Sequence, residues 1–321
     1  MSQTVHDTII IGGGPAGAAA AVYAARKKLK SLIITENFGG QSIVSGGIEN
    51  WIGEEKVTGL ELGEKLEKHV RVQEDIDVIV SEKVVATTET SDCPFEITTE
   101  KGKAYRSKTL IIASGARRRR LNIPGEDTFD GKGVAFCSTC DAPFFRDQDV
   151  AVVGSGNSAL EIVLDLFPYA KNIYLLIRRD KLKGDPVAQE KVTRAPQVKI
   201  IANAEVQEIL GEQTATGLRY KDKKADAIKN LQVGGVFVEI GSIPNAEFVR
   251  DLVETNEAGE IVVDHRTAET SKKGIFAAGD VTSDPFKQNN IAAGDGVRAA
   301  LSAYNCILNI KKCSPCAEKG E

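Results

Sequence analysis

Cys137 and Cys140 stand three positions apart, with Asp141 directly after them. Two cysteines at this spacing can close and open a small disulfide ring, releasing or taking up two electrons. Opening the ring requires a proton for the departing sulfur. Asp141 is the nearest acid, whereas His6, His69 and His265 all lie far from the pair along the chain. The pair falls between two glycine fingerprints, Gly12-x-Gly14-x-x-Gly17 and Gly154-x-Gly156-x-x-Ala159. Each is the pattern of a turn that brings backbone amides and a helix start to a dinucleotide pyrophosphate. A dithiol between two nucleotide sites reads as an electron relay. A second Cys-x-x-Cys, Cys313 and Cys316, allows a four-thiolate zinc site as a competing reading. The wide separation of the pairs and the flanking nucleotide motifs speak against it, and no metal is expected.

These groups need elements to hold them. The first fingerprint follows an apolar strand over 8–11 and opens an alanine-rich helix over 15–28, with Pro15 and Ala16 in its first turn, and a second strand covers 31–35. Glu36, at the end of that strand, can accept a hydrogen bond from a ribose hydroxyl; its plainer reading is an exposed loop acid. Gly40 and Gln41 offer bare backbone amides near the same cofactor. A second copy of the unit has a strand over 150–153, a helix over 158–166 and a strand over 173–177. Gly154, Gly156, Asn157, Ser158 and Ala159 form its turn and helix start, with Ala159 small enough to stand for the third glycine. Arg178 and Arg179 end the following strand, and arginine there suits a 2′-phosphate, which favours NADPH. Asp180 comes next, and a shift of the strand end by one or two residues would present a carboxylate and favour NADH.

Between the copies lie a helix over 60–72 and strands over 95–98 and 109–113. After the second copy come a strand over 236–240, an apolar strand over 274–280 that ends in Gly279-Asp280, and a last helix over 292–307. A strand-Gly-Asp element so far from the first fingerprint implies that the first domain is split. The expected fold is α/β, with two nucleotide-binding Rossmann-like domains, the second inserted into the first. Residues 1–115 and 245–321 form the first domain; residues 116–244 form the inserted one, which carries the Cys pair. Linkers fall at 114–116 and 241–244.

The 321 residues suffice for two domains, and 42% hydrophobic content supplies core material. No apolar run is long enough for a bilayer span, and the N-terminus does not read as a secretory signal, so a cytoplasmic location and no membrane contact are expected. A net charge of −4, from 41 basic and 45 acidic residues, argues against nucleic-acid binding. Arg117 to Arg120 reads as a solvated turn, or more sharply as a phosphate clamp or a docking patch. Cys93 and Cys306 read as inert buried thiols.

Taken in order, the first fingerprint, Gly39-Gly40-Gln41, Glu49-Asn50-Trp51, Ile123-Pro124-Gly125-Glu126, Cys137-Ser138-Thr139-Cys140-Asp141, the second fingerprint and Gly279-Asp280-Val281 resemble the low-molecular-weight thioredoxin reductases over almost the whole chain. The resemblance implies a homodimeric flavoprotein with FAD on the split domain and a nicotinamide dinucleotide on the inserted one. It adds Asn50, Gly279, Asp280, Lys287 and Gln288 to the FAD contacts. By the same resemblance Cys140 faces the flavin, Cys137 attacks the disulfide of a thioredoxin-like partner, Asp141 is the acid, and the inserted domain rotates on the two linkers. Members specific for NADPH carry a further arginine four residues after the second one; here Lys183 stands in its place. From Gly156 onward the chain is similar to the flavoprotein component of alkyl hydroperoxide reductase, as at Lys183-Gly184-Asp185 and Pro285-Phe286-Lys287-Gln288, which implies NADH and a role in reducing a peroxiredoxin. That component has an extra N-terminal thioredoxin-like region, whereas this sequence opens on the FAD strand, so a separate carrier such as a glutaredoxin-like protein is expected. Other readings are reduction by a protein such as ferredoxin, a dithiol oxidase, and a nucleotide-binding redox sensor. Cys313 and Cys316 are expected beyond the last helix in a mobile tail, as an incidental pair or as a shuttle dithiol.

Overall fold

The computed structural model describes residues 4–45, 47–90, 94–136 and 138–313, with backbone only for Thr139, Cys140 and 310–313. The chain divides into two compact units, Met1–Arg117 with Ile243–Glu321, and Arg118–Ser242.

In the first unit the strand Val5–Gly13 is paired in parallel with Ser31–Phe38 on one side and Ala104–Ile112 on the other. Ile9, Ile10 and Ile11 are all buried. A strand covered on both faces needs such an unbroken apolar run, and each buried aliphatic side chain contributes ~1.5–3 kcal/mol. Side chains alternate between faces. Ile10 therefore packs with Ile33, Ile111 and the alanines of the helix Pro15–Arg26, while Ile9 and Ile11 pack with Leu32, Ile34, Phe95 and Ile97 on the opposite face. Ile76–Val80 extends the sheet in parallel, Phe95–Thr99 and Val84–Glu89 extend it antiparallel, and Ile275–Ala277 returns late in the chain to pair with Ala104–Ile112.

The fingerprint helix ends at Arg26, two residues before the expected end, because Lys28 turns left-handed at φ 57°. The helix Gly59–Arg71 starts at a reciprocal cap in which the Thr58 hydroxyl accepts from the Glu61 amide at 3.2 Å and Glu61 accepts from the Thr58 amide at 2.9 Å. The last helix runs from Asn289 to Cys313, longer than the expected 292–307. No glycine or proline interrupts it after Gly296. The Cys313 backbone is thus helical, a correction to its expected place in a tail; Cys316 and Cys93 lie outside the described residues.

In the second unit five parallel strands stand in the order Val198–Ala202, Asn172–Ile177, Asp149–Val153, Gly235–Val238, Val134–Ala135. One face packs on the helices Asn157–Asp165 and Pro186–Arg194. The other is covered by an antiparallel layer of Ala204–Gly211, Ala215–Asp222 and Ala227–Gln232, which the sequence reading did not anticipate. The chain passes between the units through Ala116–Arg118 and Ser242–Pro244, which pair as a two-stranded sheet. Among the described residues no helix is long and apolar enough to cross a membrane.

Candidate functional site

The carboxyl end of Val5–Gly13 is where the first unit gathers its candidate residues. Gly12 turns at φ 110°, and a Cβ on it would lie 2.2 Å from the Ala113 oxygen. Gly14 opens the helix without a side-chain cap, Pro15 follows, and no acid stands in the first turn, so the leading amides are left for an anionic group. Gly40 lies against it: a Cβ on Gly40 would be 3.3 Å from the Gly14 Cα. Glu36 is exposed near the end of Ser31–Phe38. Late residues return to the same place. Gly279 turns left-handed at φ 74°, which strains any side chain, and a Cβ there would press on those of Ala16 and Ala292 at 3.1 and 3.2 Å. Gln41 Nε2 donates to Asp280 at 3.5 Å, Asn50 Nδ2 donates to Gln288 Oε1 at 3.2 Å, and Lys287 Nζ donates to the Asp280 carbonyl at 3.4 Å. Burial pushes the Asp280 carboxyl above its ordinary range; Lys287 opposes this and Asp295 adds to it. This unit can hold an extended dinucleotide along backbone amides, with polar side chains from 36, 41, 50, 280, 287 and 288 around it.

The second unit has a cavity of about 570 Å³ over its own fingerprint, lined by Gly154, Gly156, Asn157, Ser158, Ala159, Arg178 and Lys183. Gly154 is pressed against the Glu239 backbone, where a Cβ would lie 2.1 Å from the carbonyl oxygen, while a Cβ on Gly156 would meet nothing within 4 Å. The helix Asn157–Asp165 again begins with no acid and no side-chain cap. Asn157 Oδ1 accepts the Asp185 amide at 2.7 Å, and the Lys183 amide donates to the Ser155 oxygen at 2.6 Å, so the loop carrying Lys183 is tied to the turn. Arg178 and Lys183 have no carboxylate ion-pair partner among the described residues. Arg179 is not among the lining residues; both arginines lie in the bend that follows the strand Asn172–Ile177.

The arginine run is divided by function. Arg117 pairs with Glu247 at 2.7 Å and Arg118 with Glu239 at 2.6 Å, while Arg119 and Arg120 line the cavity, Arg120 also bonding Asp127 and Asp130. Glu205 and Glu239 line it too, and nothing in the local sequence signals either. Burial raises the Glu239 carboxyl above its ordinary range, with Arg118 opposing.

Cys137 lies outside the described residues, and the Cys140 backbone sits in the one-turn helix Ser138–Asp141 with its side chain not described. That helix is anchored: the buried Ser138 hydroxyl donates to Asp165 Oδ2 at 2.5 Å. Asp141 is half-buried at its end.

A model of the family described as pyridine nucleotide-disulphide oxidoreductase matches residues 6–297. The F subunit of alkyl hydroperoxide reductase in Xanthomonas campestris pv. phaseoli is 43% identical over 309 residues, covering 96% of this chain and 58% of that protein. A protein named NADH dehydrogenase in Bacillus subtilis (strain 168) is 41% identical over 302 residues, covering 94% of this chain and 58% of that protein. The chain thus spans less than two thirds of the length of these curated relatives. Among solved structures, thioredoxin reductase of Lactococcus lactis superposes with a TM-score of 0.76 at 36% identity, covering 95% of this chain and 99% of that one. Two glycine cradles on two Rossmann-like units, together with a family match across residues 6–297, place the chain in the pyridine nucleotide-disulphide oxidoreductase family.

Proposed function

We propose that the chain is a flavoprotein that reduces the disulfide of a thioredoxin-like protein with electrons from NADPH, working as a homodimer. The observation that carries this reading is the pair of uncapped, acid-free fingerprint helix starts, one in each unit, on a chain whose Cys137/Cys140 motif lies between them. FAD is the group the first unit fits: Gly12, Gly14, Pro15, Ala16 and Gly17 cradle its pyrophosphate, Glu36 takes a ribose hydroxyl, and Gly40, Gln41, Asn50, Gly279, Asp280, Lys287 and Gln288 line its length. When bound, FAD accepts a hydride from a nicotinamide and returns the electron pair to a disulfide.

The chain's own residues do the rest. Gly154, Gly156, Asn157, Ser158 and Ala159 bind the nicotinamide dinucleotide, Arg178 and Lys183 meet its 2′-phosphate from the cavity wall, and Arg179 adds positive potential outside it. Cys137 attacks one sulfur of the redoxin disulfide as a thiolate, and the other sulfur departs as a thiol, taking the proton held by Asp141. Cys140 then attacks the mixed disulfide, closes the ring with Cys137 and frees the second redoxin thiol. One NADPH and one proton are consumed for each disulfide opened to two thiols.

An anaerobic titration tests this: NADPH should bleach the flavin, and added thioredoxin should restore its colour. Cys137→Ser should keep the bleaching and lose the turnover; full turnover in that variant overturns the reading. Sedimentation should give twice the chain mass.

A second reading is favoured by the 43% identity to the alkyl hydroperoxide reductase protein of Xanthomonas campestris pv. phaseoli. Here NADH is the donor and a glutaredoxin-like carrier passes electrons to a peroxiredoxin. The same titration separates the two, because bleaching by NADH at lower concentration than NADPH, with peroxide turnover only when carrier and peroxiredoxin are both present, selects it.

A further inference from the structure

We infer that Glu260 and Lys287 form a positioning clip for the flavin site, in which Lys287 acts on the cofactor through the Asp280 turn and not by bonding to it. The inference rests on the flavoprotein reading of the first unit and defines the part that Lys287 plays in it. An ammonium has three donor hydrogens. Lys287 Nζ meets three acceptors of the chain: the Asp280 carbonyl at 3.4 Å, the Thr282 carbonyl, and Glu260 Oε1 at 3.0 Å. All three donors are thereby occupied, and none is left for a ligand. The two carbonyls belong to the one-turn helix Gly279–Val281 and the residue that ends it, directly after the strand Ile275–Ala277. Their neighbours are held as well. The Ile261 amide donates to the Val281 carbonyl at 2.9 Å, and the Thr282 amide and hydroxyl donate to the Gly279 carbonyl at 2.9 and 2.8 Å. Every carbonyl from 279 to 282 thus has a donor within the chain, and Lys287 supplies two of the four.

A clip needs a fixed anchor, and Glu260 has one. Asn256 Nδ2 donates to Glu260 Oε2 at 2.7 Å, the Glu260 amide donates back to Asn256 Oδ1 at 3.0 Å, and the Asn256 amide donates to the Glu260 carbonyl at 2.9 Å. One carboxylate oxygen is held by this local turn while the other faces Lys287. The side chains of Lys287 and Glu260 are only 29% and 23% exposed, so water replaces a lost partner in part at most. Removing the ammonium takes the donor from the Asp280 and Thr282 carbonyls together. Removing the carboxylate leaves the ammonium present but no longer aimed, since a four-carbon stem has many rotamers and the charge-assisted bond to Glu260 selects one.

The test measures FAD affinity of the full-length apoprotein by flavin fluorescence for wild type, Lys287→Met, Glu260→Ala, Glu260→Gln and the double variant Lys287→Met/Glu260→Ala. Lys287→Met should bind FAD at least tenfold more weakly, and Glu260→Ala about tenfold more weakly. Glu260→Gln keeps one accepting oxygen for two donors and should fall between Glu260→Ala and wild type, at about threefold. The double variant should bind no more weakly than Lys287→Met, since the acid acts through the ammonium; a purely structural part for Glu260 in its own turn would instead make the two losses multiply. A Lys287 that bonded FAD directly would be freed by Glu260→Ala, so wild-type or tighter binding in that variant overturns the inference. Wild-type affinity in Lys287→Met overturns it too, as do multiplying losses in the double variant. Should Lys287→Met fail to fold, Glu260→Ala and Glu260→Gln decide by the same limits. A wild-type apoprotein that binds no FAD sinks the flavoprotein reading itself, a failure distinct from unaltered variants of a protein that does bind it.

Discussion

Gly17 faces Gly12 so closely that a Cβ on it would lie 1.8 Å from the Gly12 carbonyl oxygen. Gly17→Ala must therefore push the fingerprint helix off the strand, and such overpacking costs about 1–3 kcal/mol and occasionally more. Gly14→Ala is the contrast, since its Cβ would meet only the Gly40 Cα at 3.9 Å. Urea unfolding of the apoproteins should show a large loss for Gly17→Ala and a change of less than about 1 kcal/mol for Gly14→Ala, whose FAD affinity should still fall about tenfold where the methyl crowds the amides.

Removal of Arg178 or Lys183 should act on the choice of nicotinamide. Each side chain lines the cavity over the second fingerprint. A lost charge-assisted contact to a 2′-phosphate corresponds to about 10- to 100-fold in kcat/KM with NADPH, with the value for NADH nearly unchanged. Steady-state rates with both donors give the comparison; an equal fall for both would count against a 2′-phosphate at this wall.

Ser138→Ala leaves Asp165 without its donor at the end of the helix Asn157–Asp165, where a carboxylate meets the negative end of the helix dipole. A loss of about 1–2 kcal/mol is expected from chemical denaturation. Asp165→Asn retains an acceptor oxygen for the hydroxyl and relieves the dipole, so it should cost less.

Glu82 carries a pH dependence. The Thr99 hydroxyl, donating at 2.6 Å, holds the Glu82 carboxyl below the usual carboxylate range, with Lys103 assisting against burial. A carboxyl whose folded value is depressed contributes stability above its unfolded value of 4.5, and that contribution is lost as pH falls through the depressed value. Glu82→Gln should therefore be less stable than wild type at neutral pH, with the difference shrinking below about pH 4. Unfolding midpoints across that range check the sign.

Much of the site is legible in the sequence because glycine records geometry locally. Gly12 and Gly154 mark tight turns against backbone, and their spacing from Gly17 and Ala159 records where a helix must approach a strand. Asn50 and Gln288 carry no such mark, and their bond appears only when distant segments return to one sheet end. Glu205 and Glu239 are single acids in unremarkable surroundings, brought to the cavity by tertiary packing alone. Arg178 lines the cavity and Arg179 does not, a difference set by the bend after Ile177 that charge composition does not encode. The antiparallel layer over 204–232 is not legible in the sequence, because bulges between Val206 and Glu208 and between Leu210 and Gly211 shift its alternation and the strand Ala227–Gln232 is largely exposed.

The ladder between Ala116–Arg118 and Ser242–Pro244 makes the excursion into the second unit begin and finish at neighbouring points, joined further by the Arg119 amide on the Gly241 oxygen at 2.9 Å. Adjacent strands lie about 4.8 Å apart. A graft that excises the inserted cassette and splices its two stumps with a few glycines would leave the host polypeptide almost no gap to bridge, and ancestral acquisition of the cassette would have met the same small obstacle.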